Sequence, residues 1–159
     1  MSDGSQRPLR AIIFDWGRTL HDSDHAALFP EAARVVEQLS ARYTLAIVAL
    51  ITRGDVEAGA EERCAILRAS DLERHFSALL FAPADKDSLY APALGRLRLS
   101  PREAAIVDDR VIRGIRWGNR AGATTIWLRR GKFAQEVPDE ETGAPTHTIA
   151  DLGQLLDIL

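Results

Sequence analysis

Contiguous apolar runs alternate along the chain with stretches whose apolar positions recur every three or four residues. The runs at 9–15, 44–50, 78–81, 103–108 and 124–128 lack the in-out alternation of a half-exposed strand, and they predict strands buried on both faces. Residues 29–42 predict a helix with Pro30 in its first turn and an apolar stripe of Val35, Val36 and Leu39. Further helices are predicted at 55–69, 88–97 and 111–121, the last closed by Gly122. Residues 146–149 predict an edge strand, and 152–158 a final helix. Residues 132–145 hold Gly, Pro and four acids and read as an exposed connection. Such alternation predicts an α/β fold: a three-layer, doubly wound (Rossmann-like) parallel sheet of five to six strands. One domain over 1–159 is expected, with residues 1–8 a flexible N-terminus.

Composition narrows the classes. With 159 residues and 46% hydrophobic content, the chain can bury roughly 70% of its unfolded surface. The single cysteine, Cys64, rules out an intrachain disulfide framework and a multi-cysteine zinc site. A net charge of -3 gives no reason to expect nucleic acid or a membrane surface as partner. No apolar run approaches the ~18 residues of a membrane span, and the first residues lack a signal peptide's apolar segment. A cytoplasmic protein is expected.

Two of the predicted strands end in acids. The run at 9–15 stops at Asp15 and turns through Gly17 to Thr19, and that at 103–108 ends in the pair Asp108-Asp109. Both acids are thereby delivered to the carboxyl edge of a parallel sheet, where open α/β folds bind ligands. Paired carboxylates at that edge suggest a magnesium-phosphate site.

Phe14-Asp15-Trp16-Gly17-Arg18-Thr19-Leu20, Lys86 opening a helix with Leu89-Tyr90, and Val107-Asp108-Asp109 stand in that order along the chain. Leu28-Phe29-Pro30-Glu31, Leu72-Glu73-Arg74-His75-Phe76 and Ser100-Pro101-Arg102-Glu103-Ala104 fall between and around them. In this order and spacing the chain resembles the haloacid dehalogenase (HAD) superfamily, mostly magnesium-dependent phosphohydrolases. The resemblance implies Asp15 as nucleophile, Lys86 as its neutralising partner and Thr19 as the residue that holds the turn. It implies Mg2+ between Asp15, Asp109 and the Gly17 carbonyl. Trp16, Gly17, Arg18 and Thr52 would then contact the substrate, a phosphorylated or acyl-phosphate small molecule.

The departures from the family pattern are equally specific. The usual Asp-x-Asp-Gly-Thr-Leu carries a second aspartate where this chain has Gly17, and a glycine where it has Arg18. That aspartate is a general acid and base, worth roughly 10²–10⁴ in rate. The expected Ser or Thr after the second strand aligns with Ala49, with Thr52 as a replacement if the loop bends back. A further acid is expected at Arg113 or Gly114. The spacing leaves no room for a cap domain. Relatives that lack the second aspartate include dehalogenases, phosphonate hydrolases with a lysine imine, and ion-pumping ATPases. The resemblance therefore implies a phosphatase-like hydrolase with weakened acid–base machinery. The alternative is a non-catalytic relative that binds a small molecule or a protein partner through a partial metal or phosphate site.

Three other readings bear on the site. His21-Asp22-Ser23-Asp24-His25 has poor spacing for zinc, but His21 or Asp22 could swing in as a replacement acid. Arg129, Arg130 and Lys132 read as a solvated loop. A phospho-accepting receiver domain uses similar residues but carries its acidic pair after the first strand, whereas here the pair follows the fourth.

Overall fold

The computed structural model describes residues 7–159. Most of the expected flexible N-terminus therefore lies outside the described residues. Six parallel strands form one sheet in the order β5-β4-β1-β6-β7-β8. They are β1 (Ala11–Phe14), β4 (Thr44–Leu50), β5 (Phe76–Ala82), β6 (Ala104–Asp108), β7 (Thr124–Leu128) and β8 (His147–Ile149). The helices are α1 (Ala32–Ser40), α2 (Val56–Ala69), α3 (Asp87–Leu97), α4 (Arg116–Ala121) and α5 (Leu155–Ile158). Two-residue strands β2 (His21–Asp22) and β3 (Ala27–Leu28) make a separate antiparallel hairpin.

The period of two along each strand divides the core. Ile12 and Phe14 of β1 pack with Val35, Val36 and Leu39 of α1, Leu67 of α2 and Leu155 of α5. Ala11 and Ile13 face the other way, onto Tyr90, Ala93 and Leu94 of α3, with Trp117 of α4 against the same cluster. These are the three layers that the uninterrupted apolar runs predict.

Boundaries differ where local chemistry intervenes. Pro30 precedes α1 rather than lying in its first turn. Asp55 caps α2 by accepting from the Ala58 amide at 2.8 Å. The predicted helix at 111–121 opens instead as a π-type turn, Val111–Ile115, in which Arg113 leaves helical geometry at φ -118° and ψ -105°. Gly122 does close α4 in the left-handed conformation, at φ 84°. No further layer covers the carboxyl edge of the sheet among the described residues; the β2–β3 hairpin and the Gly131–Phe133 turn flank it.

Candidate active site

Register brings the acids together. Phe14 of β1 lies opposite Val107 of β6, and the Asp15 amide donates to the Val107 carbonyl at 2.9 Å. Asp15 and Asp108 thus leave adjacent strands at the same level. Lys86, immediately before α3, reaches both: its Nζ donates to Asp15 Oδ1 at 2.8 Å and to Asp108 Oδ2 at 2.5 Å. Thr19, fully buried, donates to Asp15 Oδ2 at 3.2 Å. Both oxygens of the candidate nucleophile are therefore fixed.

Asp108 serves the backbone as well as Lys86. Its Oδ1 accepts from the Arg110 amide at 2.9 Å and its Oδ2 from the Gly114 amide at 3.1 Å. The π-type turn is what aims the Gly114 N–H at that carboxylate. A Cβ on Gly114 would lie 2.5 Å from Asp108 Oδ2 and 2.8 Å from the Tyr90 hydroxyl, so only glycine fits there.

Electrostatics follow from burial. Desolvation lifts the Asp15 carboxyl above its ordinary value, opposed chiefly by Lys86. Burial alone would lower Lys86, but Asp108 and Asp15 outweigh it and hold the ammonium well above its usual range. Asp109 is pushed up to about 9 by burial and by Asp15 and Asp108 beside it. Its Oδ2 is buried with no hydrogen-bond partner. Oxygen atoms of Asp15, Asp108 and Asp109 lie within 4.8 Å of one another. Three clustered carboxylates with an unpartnered oxygen suit a small hard cation.

A cavity of ≈ 290 Å³ opens above this cluster, lined by Asp15, Gly17, Arg18, Thr52 and Asp109, and also by Arg63, Arg110, Arg113 and Phe133. A wider cavity of ≈ 660 Å³ around Arg68, Arg74 and Phe76 lies at the amino end of β5, away from the carboxylates. The smaller one holds the chemistry.

The family model described as HAD-hydrolase-like matches residues 86–155, which include Lys86 and the Asp108-Asp109 pair. Over that segment the chain is similar to the HAD-hydrolase-like family. A glyceraldehyde 3-phosphate phosphatase of Methanopyrus kandleri is 37% identical over 71 residues, covering 45% of this chain and 30% of the relative. The chain thus matches under a third of that relative's length. A putative HAD-hydrolase of Bacillus subtilis, in a magnesium-bound crystal structure, superposes with a TM-score of 0.70 at 15% identity, covering 96% of this chain and 99% of that one. An uncharacterized protein from Listeria monocytogenes serotype 4b superposes with a TM-score of 0.73 at 20% identity, covering 94% and 96%.

Within this HAD fold, most residues singled out from the sequence converge. Asp15, Thr19, Lys86 and Asp109 meet as described, and Gly17, Arg18 and Thr52 line the cavity. The loop after β4 does bend back, while Ala49 is sealed in the core. Trp16 is corrected: it is 3% exposed, belongs to the core and stacks on His21 at 5.3 Å, so its side chain does not line the cavity over Asp15. The two candidate replacement acids have other neighbours in this structure. His21 lines a neighbouring pocket beside Arg63, where burial and that guanidinium push its imidazole down. Asp22 is taken up by His25 at 2.6 Å. Arg129 and Lys132 are exposed, as a solvated loop implies, whereas Arg130 is half-buried. Arg130 is bonded to Glu31 at 2.6 Å and lies 3.5 Å over Phe29, and Arg129 donates to the Ala134 carbonyl at 2.8 Å.

Arg18 stands where the family pattern has glycine, and its φ is 60°. A side chain is disfavoured in that left-handed region by roughly 1–2 kcal/mol. Two hydrogen bonds from its guanidinium to Asp24, at 3.0 and 3.1 Å, tie the turn to the β2–β3 hairpin. Arg63 was the residue most open to discovery. Gly59, Arg63 and Leu67 recur every four residues, and an arginine within such an inward stripe signals a polar destination.

Proposed function

We propose that this HAD-fold protein is a magnesium-dependent hydrolase of phosphate or acyl-phosphate groups on a small molecule, with Asp15 as nucleophile. The observation that carries the reading is the Lys86 ammonium, buried and bonded at once to Asp15 and Asp108 beneath an open cavity. Asp15 attacks phosphorus; the new bond is from a carboxylate oxygen to phosphorus, and the bond to the leaving oxygen breaks. Lys86 offsets negative charge at the nucleophile and on the incoming group. Thr19 keeps the carboxylate oriented. Water then attacks phosphorus and releases inorganic phosphate and the free Asp15 carboxylate. Asp15, Asp109 and the Gly17 carbonyl would hold Mg2+, which supplies charge neutralisation of the phosphoryl oxygens.

With Gly17 in place of the acid, the leaving group takes its proton from solvent. Acyl phosphates and aryl phosphates, whose leaving groups need little protonation, are the favoured substrates. Hydrolysis of acetyl phosphate and p-nitrophenyl phosphate with magnesium, against Asp15→Asn and metal-free controls, tests this. Metal-dependent turnover that Asp15→Asn abolishes is expected. Turnover equal in the variant overturns the nucleophile assignment. The second reading, a binding protein that acts on a small phosphate or a protein partner without catalysis, is favoured by Gly17 and Arg113 standing where acids are expected.

A further inference from the structure

Four arginines, Arg18, Arg63, Arg110 and Arg113, share the cavity lining with the carboxylates Asp15 and Asp109. Two of the four are already neutralised. Arg18 is paired with Asp24, and Arg110 is bonded to Glu136 at 2.5 Å while lying 3.7 Å over Phe133. The other two are not. Arg113, set out of helical geometry by the π-type turn, makes no side-chain hydrogen bond or ion pair among the described residues. Arg63 donates Nη2 to the Leu50 carbonyl at 2.8 Å, but its Nη1 is buried without a partner. Its guanidinium is held in place by two rings, 5.7 Å from the Trp16 centroid and 5.3 Å from that of Phe81.

A buried, unpartnered N–H of a charged group is costly unless a ligand completes it. Lys86 is already bonded to Asp15 and Asp108, and the carboxylate cluster would take one phosphoryl group through Mg2+. Arg63 and Arg113 stand outside the Lys86–carboxylate network, and neither is in an ion pair among the described residues. A guanidinium fork matches a carboxylate or phosphate in two parallel hydrogen bonds. We propose that the ligand of this site carries two anionic groups: a phosphoryl group at Asp15 and a second phosphate or carboxylate held by Arg63 and Arg113. The proposal rests on the phosphate reading of the same site. The volume of ≈ 290 Å³ is at the lower end for small-molecule sites and suits a skeleton of a few carbons. Glyceraldehyde 3-phosphate, in the name of the archaeal relative, has one anionic group, so the preference inferred here differs from that name.

The test is calorimetric binding to Asp15→Asn protein in magnesium buffer, a background that does not depend on turnover. Three ligands are compared: glycerol 3-phosphate, 3-phosphoglycerate, which adds a carboxylate, and propane-1,3-diol bisphosphate, which adds a second phosphate. At least one doubly anionic ligand is expected to bind about 10- to 100-fold tighter than glycerol 3-phosphate, the ordinary yield of charge-assisted hydrogen bonds. Which of the two gains more identifies the second group. Adding Arg113→Gln, with folding checked by circular dichroism, is expected to bring the ratio back toward one. Equal affinities, a ratio unchanged by Arg113→Gln, or no binding of any ligand overturns the proposal. The hydrolase reading fails separately, through absence of turnover in the wild-type chain while the binding preference persists.

Discussion

Gly17→Asp is the most informative single substitution. The backbone at Gly17 is not left-handed, and a Cβ placed there meets only Ser23 Oγ, at 3.6 Å, an ordinary contact. The position therefore admits a side chain without displacing Asp15, Thr19 or the Arg18–Asp24 pair. A carboxyl there would line the same cavity as Asp15 and could protonate the leaving oxygen. General acid–base help is worth roughly 10²–10⁴ in rate, or about 3 to 5 kcal/mol of barrier. The gain should depend on the leaving group. An alkyl ester such as glyceraldehyde 3-phosphate should gain most of that factor in kcat/KM, because its alkoxide leaves poorly without a proton. Acetyl phosphate should gain little. The assay is phosphate release from both substrates by wild type, Gly17→Asp and the double variant with Asp15→Asn, all with magnesium. If folded Gly17→Asp hydrolyses the alkyl ester no faster than wild type, or accelerates both substrates equally, the missing acid is not what limits this site.

Two further outcomes follow from the buried charges. Lys86→Met removes the one cation among Asp15, Asp108 and Asp109, and stranding buried carboxylates in this way costs about 3–5 kcal/mol. Urea denaturation should show that loss in metal-free buffer and a smaller one with magnesium; a change under about 1 kcal/mol refutes the tight network. Asp109 is raised from its ordinary value to about 9 in the folded chain. The native state thus keeps a proton that the unfolded chain has already released, so this group's stabilisation is full below about pH 4 and is lost as pH rises toward 9. Asp109→Asn should flatten the fall in metal-free Tm between pH 6 and 9 and abolish a magnesium-induced rise in Tm that grows with pH in wild type. Parallel pH profiles for the two proteins would contradict it.

The sheet was legible because its strands are buried on both faces, and uninterrupted apolar runs are how such strands appear in sequence. Asp15 and Asp108-Asp109 were legible because they end those runs. The hairpin was not: His21-Asp22 and Ala27-Leu28 are two-residue strands of mixed polarity, too short to show a period. Nor was the left-handed Arg18, since the glycine beside it draws attention to the wrong residue. β5 was predicted short because Phe76-Ser77 alternates at the sheet edge, whereas the strand runs from Phe76 to Ala82. Arg63 and Arg113 escaped because their significance is spatial: one comes from the inward stripe of α2, the other from a turn that the helical pattern concealed. Trp16 was misplaced because adjacency to a nucleophile says nothing about which way a side chain turns.

The two absent acids differ in how easily they could return. At Gly17 the surroundings still accommodate a carboxylate, so one change separates the chain from a fuller catalytic complement. At Gly114 the Asp108 and Tyr90 side chains fill the space such a side chain would need, with Asp108 Oδ2 only 2.5 Å from a Cβ. The N–H of that glycine also serves Asp108. Any route that rebuilds the distal acid at this position must first give up the buried carboxylate that anchors Lys86. Engineering toward a more active enzyme is therefore open at Gly17 and closed at Gly114, which leaves Arg113, on the cavity lining, as the position for a distal acid.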